Sequence, residues 1–74
     1  MSKMPMKVCQ LIITGVDVLG DDYRKGKMLY GEVLESRDIV CGVVAEHGYN
    51  VDRTSICDLF DREFELQYRN GLEE

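Results

Sequence analysis

The segment TSICDLFDREFELQYRNG, residues 54–71, has the most regular apolar pattern in this chain. Its large apolar side chains recur at spacings that place them on one side of a helix: Ile56, Leu59, Phe60, Phe64 and Tyr68. Either Asp52 or Thr54 is suited to cap the start of this helix, and Asn70-Gly71 is typical of its end. We therefore predict an amphipathic C-terminal helix whose charged residues lie opposite the apolar face.

A second helix is predicted just before it, over residues 36–47. Ser36 is a good N-cap residue, and Asp38 would place a negative charge in the first turn, where the helix dipole favours it. A helical stripe of apolar residues and one histidine follows: Ile39, Val40, Val43, Val44 and His47. Gly48 then suits the left-handed position after a helix end. The Ile39/Val43 stripe, like the C-terminal one, is predicted to be core, and it would form a dimer seam if it were exposed.

The N-terminal half carries a pattern that favours β-structure. Residues 8–14 are short and rich in β-branched side chains, and Gly15 would end a strand there. Residues 19–27 are polar and turn-like. Residues 28–34 are compatible with a strand or a helix, and we favour a second strand that pairs with the first through a long hairpin loop.

The predicted fold class is therefore α+β: a small antiparallel β-hairpin or sheet followed by two C-terminal helices. Residues 1–6 are predicted to be a loose leader to a single small domain, residues 1–74. A chain of this length buries only about 60% of its unfolded surface, so a supplement such as oligomerisation would help to stabilise it.

The cysteine count and the lack of long apolar runs favour the cytoplasm over a secreted or membrane location. The run Leu11-Ile12-Ile13 is far shorter than a membrane span, and no signal peptide is visible. The three cysteines, Cys9, Cys41 and Cys57, are an odd number and form no Cys-x-x-Cys pair, whereas secreted mini-proteins usually carry an even set. We expect a soluble cytoplasmic protein with reduced, mostly buried thiols.

Negative charge is concentrated in the second half of the chain. Residues 1–34 carry five basic and four acidic side chains, whereas residues 35–74 carry four basic and ten acidic ones. The net charge of the whole chain is −5. An acidic surface favours a protein partner with a basic surface, because nucleic-acid binding depends largely on lysine and arginine that neutralise phosphates.

Metal binding and catalysis find little support in the residue spacing. Cys9, Cys41, His47 and Cys57 together form a set of zinc-binding types, but they lack the close pairs that structural zinc sites use. His47 with Cys41 or Cys57 would be the only nucleophile–base pair, and His47 is better explained by an interaction with its helix end. We expect no metal, no cofactor and no enzymatic activity.

The two predicted helices also resemble a helix-turn-helix, with Ala45, Gly48 and Ile56 near the positions that the motif requires. The spacing departs from the short-turn form of the motif at Ala45 and Ile56. In addition, its recognition helix would be acidic, because Asp58, Asp61, Glu63 and Glu65 outnumber its basic residues. A DNA-binding transcriptional regulator is therefore the alternative hypothesis.

The favoured hypothesis is a small non-enzymatic module that docks on a basic surface of a partner protein, as an inhibitor of a nucleic-acid-binding protein would. Small acidic inhibitors encoded by phages and mobile elements, including many anti-CRISPR proteins, are similar to this chain in size and charge. The likeness is compositional, and no family motif accompanies it. The predicted partner-binding residues are Glu46, Asp58, Asp61, Arg62, Glu63 and Glu65. A homodimer is a further expectation.

Overall fold

The computed structural model describes residues 5–48 and 50–69, and these residues form three packed helices. Helix α1 spans Met6–Arg24, α2 spans Tyr30–His47, and α3 spans Arg53–Phe64 and continues as a π-helical segment, Glu65–Arg69. Each pair of helices is in contact. The described residues contain no strand, so the α+β prediction with its β-hairpin is wrong, and the fold is a helical bundle.

The predicted first strand, residues 8–14, lies inside α1. The buried side chains of this helix are Val8, Ile12, Val16 and Leu19, at the spacing of a helix rather than of a strand. A short apolar run does not distinguish a strand from a buried helix, and the β-branched residues misled the prediction. Helix α1 begins at Met6, with Pro5 as its N-cap residue, and residues 1–4 of the predicted leader lie outside the described part.

Two glycines within α1 mark close contacts rather than turns. A Cβ atom at Gly15 would lie 3.4 Å from a methyl group of Val40 on α2. A Cβ atom at Gly20 would overlap the ring of Tyr68 in the π-helical segment. The helix therefore continues through Gly15, where the sequence pattern placed a strand end, because the neighbouring elements pack against its backbone.

The predicted second strand, residues 28–34, is also wrong. Helix α2 begins at Tyr30 with Leu29 as its N-cap, and Glu32 accepts a hydrogen bond from the Leu29 backbone N–H at 2.8 Å. Ser36 therefore lies within the helix and does not cap it. The reversal between α1 and α2 uses Gly26, which adopts a φ of 76° that side chains other than glycine rarely accept.

Helix α2 is rotated relative to the predicted stripe. Its buried residues are Val33, Cys41 and Val44, whereas Ile39 and Val43 are 69% and 52% exposed. The prediction that Ile39 and Val43 form core is therefore wrong. The stripe was predicted from a helix starting at Ser36, and the true start at Tyr30 adds Val33 to the face that packs on the bundle.

Helix α3 confirms the strongest sequence prediction. Ile56, Phe60, Phe64 and Tyr68 are buried, and Leu59 is half-buried against them. Asp52 is the N-cap, and its side chain accepts a hydrogen bond from the Ser55 backbone N–H at 2.7 Å. The predicted stop at Asn70-Gly71 lies outside the described residues.

The backbone conformation of the link between α2 and α3 differs from the prediction. Gly48 follows the end of α2 as predicted, but its φ of −97° is not left-handed. Asn50, in the same link, adopts a left-handed conformation, with a φ of 56°. His47 contacts its helix end as expected, because its Nδ1 lies 2.9 Å from the Val43 carbonyl oxygen.

Aromatic rings close one end of the bundle. Phe64 contacts Tyr23, Tyr30, Phe60 and Tyr68, with ring centroids 5.5 to 6.3 Å apart. These rings come from all three helices and the π-helical segment, so they hold that end together. Within the described residues, none of the helices combines the length and apolar character needed to cross a membrane.

Candidate protein-interaction surfaces

The first candidate surface is acidic and lies where α2 and α3 pack side by side. An ion pair between Arg37 of α2 and Asp61 of α3 joins these two helices. The acidic residues that flank this ion pair on each helix face outward. We define the acidic face as Glu35, Glu46, Asp58, Asp61 and Glu65. Four of these residues are exposed, and Asp61 is half-buried.

An ion-pair network lies at the edge of this face. Arg37 Nη1 is 2.8 Å and 2.9 Å from the two carboxylate oxygens of Asp61, and Arg37 Nη2 is 2.7 Å from Asp38 Oδ1. Arg53 donates to the Asp38 carbonyl oxygen at 3.0 Å. The hydrogen bonds that Arg37 donates to Asp61 and, to a smaller extent, to Asp38 raise the pKa of Arg37 above its usual range, and the bond from Arg37 lowers the pKa of Asp38. The network therefore neutralises Asp38 and Asp61 internally.

Three carboxylates on the acidic face have no ion-pair partner among the described residues. Glu35, Glu46 and Asp58 are exposed, and none of them forms a hydrogen bond or ion pair with another described residue. Their side chains are therefore accessible to a cation on another molecule. The acidic face carries this negative charge on a surface whose shape is held by the Arg37–Asp61 link.

The structure separates the six predicted partner-binding residues. Asp58, Arg62 and Glu65 lie on the outer side of α3 at helical spacing, as predicted, and all three are exposed. Asp61 instead binds Arg37, and Glu63 is half-buried and accepts a hydrogen bond from Gln67 at 3.2 Å. Glu46 belongs to α2 but joins the same face. The sequence analysis missed Glu35, because that residue precedes Ser36, the predicted N-cap, and so lay outside the predicted helix.

The second candidate surface is apolar and lies on the outer side of α1 and α2. We define the apolar face as Leu11 and Val18 of α1 with Ile39 and Val43 of α2. Their exposed fractions are 44%, 57%, 69% and 52%. Gly15 and Val40 mark the line along which α1 and α2 touch. Leu11 and Val18 lie on α1, and Ile39 and Val43 lie on α2, at helical positions farther from the buried side than this line, so they belong to the outer surface of the pair.

A shallow depression joins the two surfaces on α2. Its volume is about 330 Å³, and it is lined by Asp38, Ile39, Gly42, Val43, Glu46 and Arg53. Gly42 has no side chain, and a Cβ atom there would meet nothing within 4 Å. A smaller depression of about 140 Å³ lies between the start of α1 and the end of α2, where Lys7 and Leu11 face Val44 and His47.

The cysteines and the histidine do not converge. Cys41 is fully buried beside Cys57, and burial, followed by the hydrogen bond with Cys57, raises the pKa of Cys41 to about 12. Cys9 is half-buried on α1, and His47 is exposed at the end of α2. In the part of the chain that the structure describes, no three His, Cys, Asp or Glu side chains group closely enough to hold a metal ion.

The packing of α2 and α3 also bears on the helix-turn-helix alternative. The Arg37–Asp61 bond joins residues well away from the link, so the two helices lie side by side over much of their length. The helices of a DNA-binding helix-turn-helix cross at about 90–120°. This argues against that alternative. Comparison with known proteins assigns neither surface, since no protein family, no curated protein and no solved structure matches this chain.

Proposed function

We propose that this chain is a small non-enzymatic protein-binding module that docks its acidic face on a basic surface of a partner protein. One observation supports the proposal. Three exposed carboxylates, Glu35, Glu46 and Asp58, form no ion pair with another described residue. Lysine or arginine side chains of a partner would complete these ion pairs and would steer association over long range.

The Arg37–Asp61 link supports the same proposal through rigidity. Arg37 is held by hydrogen bonds to two carboxylates, so α2 and α3 keep a fixed spacing and present their outer carboxylates together. A surface that is ordered before binding loses less conformational entropy on association than a flexible one. Docking would therefore need little rearrangement of the backbone.

A basic surface that normally holds nucleic acid is the partner chemistry that fits best. Such surfaces carry rows of lysine and arginine spaced to contact phosphates, and carboxylates on a small rigid bundle can occupy the same positions. The module would then act as an inhibitor that competes with nucleic acid. We place it in the cytoplasm, where reducing conditions would keep Cys9, Cys41 and Cys57 as the free thiols that the structure contains.

The test compares two variants that change net charge equally. Glu46→Gln/Asp58→Asn neutralises two carboxylates of the acidic face. Met6→Lys/Gln10→Lys adds two positive charges at exposed sites on α1, away from that face. Each tagged protein is used to isolate partners from native lysate at low and high salt, and the recovered proteins are quantified by mass spectrometry.

We expect the first variant to lose about three- to tenfold of the recovered partner at low salt, and the second to retain it. Added duplex DNA or RNA should release the partner in proportion to its concentration, because both compete for one surface. Equal recovery with both variants, or recovery that does not change with salt, would contradict the proposal.

A further inference from the structure

We propose that a second copy of this chain covers the apolar face, related to the first copy by a two-fold axis, so that the two α1 helices run antiparallel. This inference does not depend on the proposed partner, although the apolar face borders the acidic face on α2, where Ile39, Val43 and Glu46 line one depression. It rests on the exposure, the symmetry, the charge and the area of the α1–α2 pair.

The apolar face exposes aliphatic side chains that a stable small protein would normally bury. Val18, Ile39 and Val43 are each more than half exposed, and Leu11 is 44% exposed. They lie on two helices that pack against each other. Contiguous apolar surface of this kind marks interaction sites in soluble proteins. Burying it in a dimer would also add to the limited core of a 74-residue chain.

The face is arranged so that it complements itself. Antiparallel packing of the two helices is shown by Val8 beside Gly48 and Gly15 beside Val40. Leu11 and Val18 lie four residues before and three residues after Gly15, and Ile39 and Val43 flank Val40 at the same level of the bundle. A two-fold axis at this level, perpendicular to the helices, places Leu11 opposite the partner's Val18 and Ile39 opposite the partner's Val43.

The charges at the two ends of the α1 stripe match the same axis. Lys7 lies one helical turn before Leu11, and Asp22 lies one turn after Val18. The axis that pairs Leu11 with Val18 therefore brings Lys7 next to the partner's Asp22, twice in the dimer. Asp58, Asp61 and Glu65 lie on α3, outside the α1–α2 pair. Glu35 and Glu46 lie on α2 near Ile39 and Val43, and the axis that pairs Ile39 with Val43 places them opposite the partner's His47 and the partner's Ser36, so these carboxylates do not face each other.

The full footprint of the two helices has the size of a weak, reversible dimer interface. Helices α1 and α2 contain 19 and 18 residues, so each is about 27 Å long. With neighbouring helices about 8–10 Å apart, the two-helix face covers about 500 Å² per copy, or about 1,000 Å² in total, which reaches the lower range of specific interfaces.

Sedimentation equilibrium between about 1 and 200 µM tests the proposal. We expect a concentration-dependent shift from the 8.5 kDa chain to twice that mass. Val18→Glu and Ile39→Glu should each weaken dimerisation at least tenfold without changing the helical circular dichroism spectrum, because both side chains are exposed. Leu66→Glu is the matched control, since Leu66 is 67% exposed on the π-helical segment, and it should change the dissociation constant less than twofold.

A charge swap tests the antiparallel arrangement separately. Lys7→Glu and Asp22→Lys should each weaken the dimer about threefold or more, and the double variant should recover most of the loss. A chain that stays monomeric throughout the concentration range overturns the proposal. So does a dimer that Val18→Glu and Ile39→Glu leave unchanged, or one that the double charge swap fails to restore.

Discussion

Arg37 on α2 binds Asp61 on α3 through both carboxylate oxygens, at 2.8 Å and 2.9 Å. The Arg37 side chain is only 21% exposed, whereas that of Asp61 is 47% exposed. The pair joins residues 24 positions apart in the sequence, so it stabilises the tertiary packing of two helices rather than either helix alone. It also holds the two halves of the acidic face at a fixed distance.

A double-mutant cycle should measure a favourable coupling between these two residues. We expect Arg37→Met and Asp61→Asn each to lower the free energy of unfolding, with a coupling of about 1 kcal/mol at low salt that decreases as salt is added. Urea unfolding followed by circular dichroism gives the four stabilities. Glu35→Gln is the control, because Glu35 has no partner among the described residues and should change stability by less than about 0.5 kcal/mol. A coupling near zero would show that the pair contributes nothing to α2–α3 packing.

Replacing Gly20 and Gly42 by alanine should change the stability of the fold in opposite directions. At Gly20 the added methyl group would overlap the buried Tyr68 ring, so Gly20→Ala should destabilise the fold by about 1–3 kcal/mol despite the higher helix propensity of alanine. At Gly42 the methyl group meets nothing within 4 Å, so Gly42→Ala should stabilise the fold by up to about 1 kcal/mol. Thermal unfolding distinguishes the two variants, and a stabilised Gly20→Ala protein would mean that Tyr68 does not pack there.

The Asp52 cap predicts a specific loss of stability in acid. The Ser55 backbone N–H, followed by the Ser55 side chain, lowers the pKa of Asp52 below its usual 3.8. A carboxyl whose pKa is lower in the folded chain stabilises the fold above its unfolded pKa, and this contribution is lost as the pH falls through the lowered value. Asp52→Asn keeps a capping oxygen without this titration. The melting temperature of the native chain should therefore fall more steeply than that of the variant below about pH 4, and parallel curves would contradict the assignment.

Cys41 should resist alkylation until the bundle unfolds. Its side chain is fully buried, and burial raises its pKa to about 12, so only about 10⁻⁴ of it would be thiolate at pH 8. We expect iodoacetamide to modify Cys41 at least a hundredfold more slowly than the half-buried Cys9 in the native chain. In urea the two rates should converge. Peptide mass spectrometry reports both sites, and rapid native labelling of Cys41 would require α2 and α3 to separate often.

The predictions that the structure confirmed depended on local signals. The apolar residues from Ile56 to Tyr68 repeat at helical spacing over about three turns, and Asp52 supplies a cap whose geometry depends only on neighbouring residues. The concentration of acidic residues in the second half is likewise a property of composition. These features did not require knowledge of which surfaces meet.

The predictions that failed depended on contacts between distant segments. Residues 8–14 have the composition of a strand, and only packing of Val8, Ile12 and Val16 against α2 and α3 makes the helix the lower free-energy choice. Gly15 and Gly20 suggest interruptions until Val40 and Tyr68 are seen against them.

The sequence by itself therefore determined the C-terminal helix, its cap and the sign of the surface charge, because each follows from neighbouring residues. Only the tertiary structure decided that Ile39 and Val43 remain exposed while Val33, Cys41 and Val44 are buried. The rotation of α2 about its axis is set by α1 on one side and by the Arg37–Asp61 pair on the other. That rotation separates an acidic face from an apolar one, and both functional proposals depend on it.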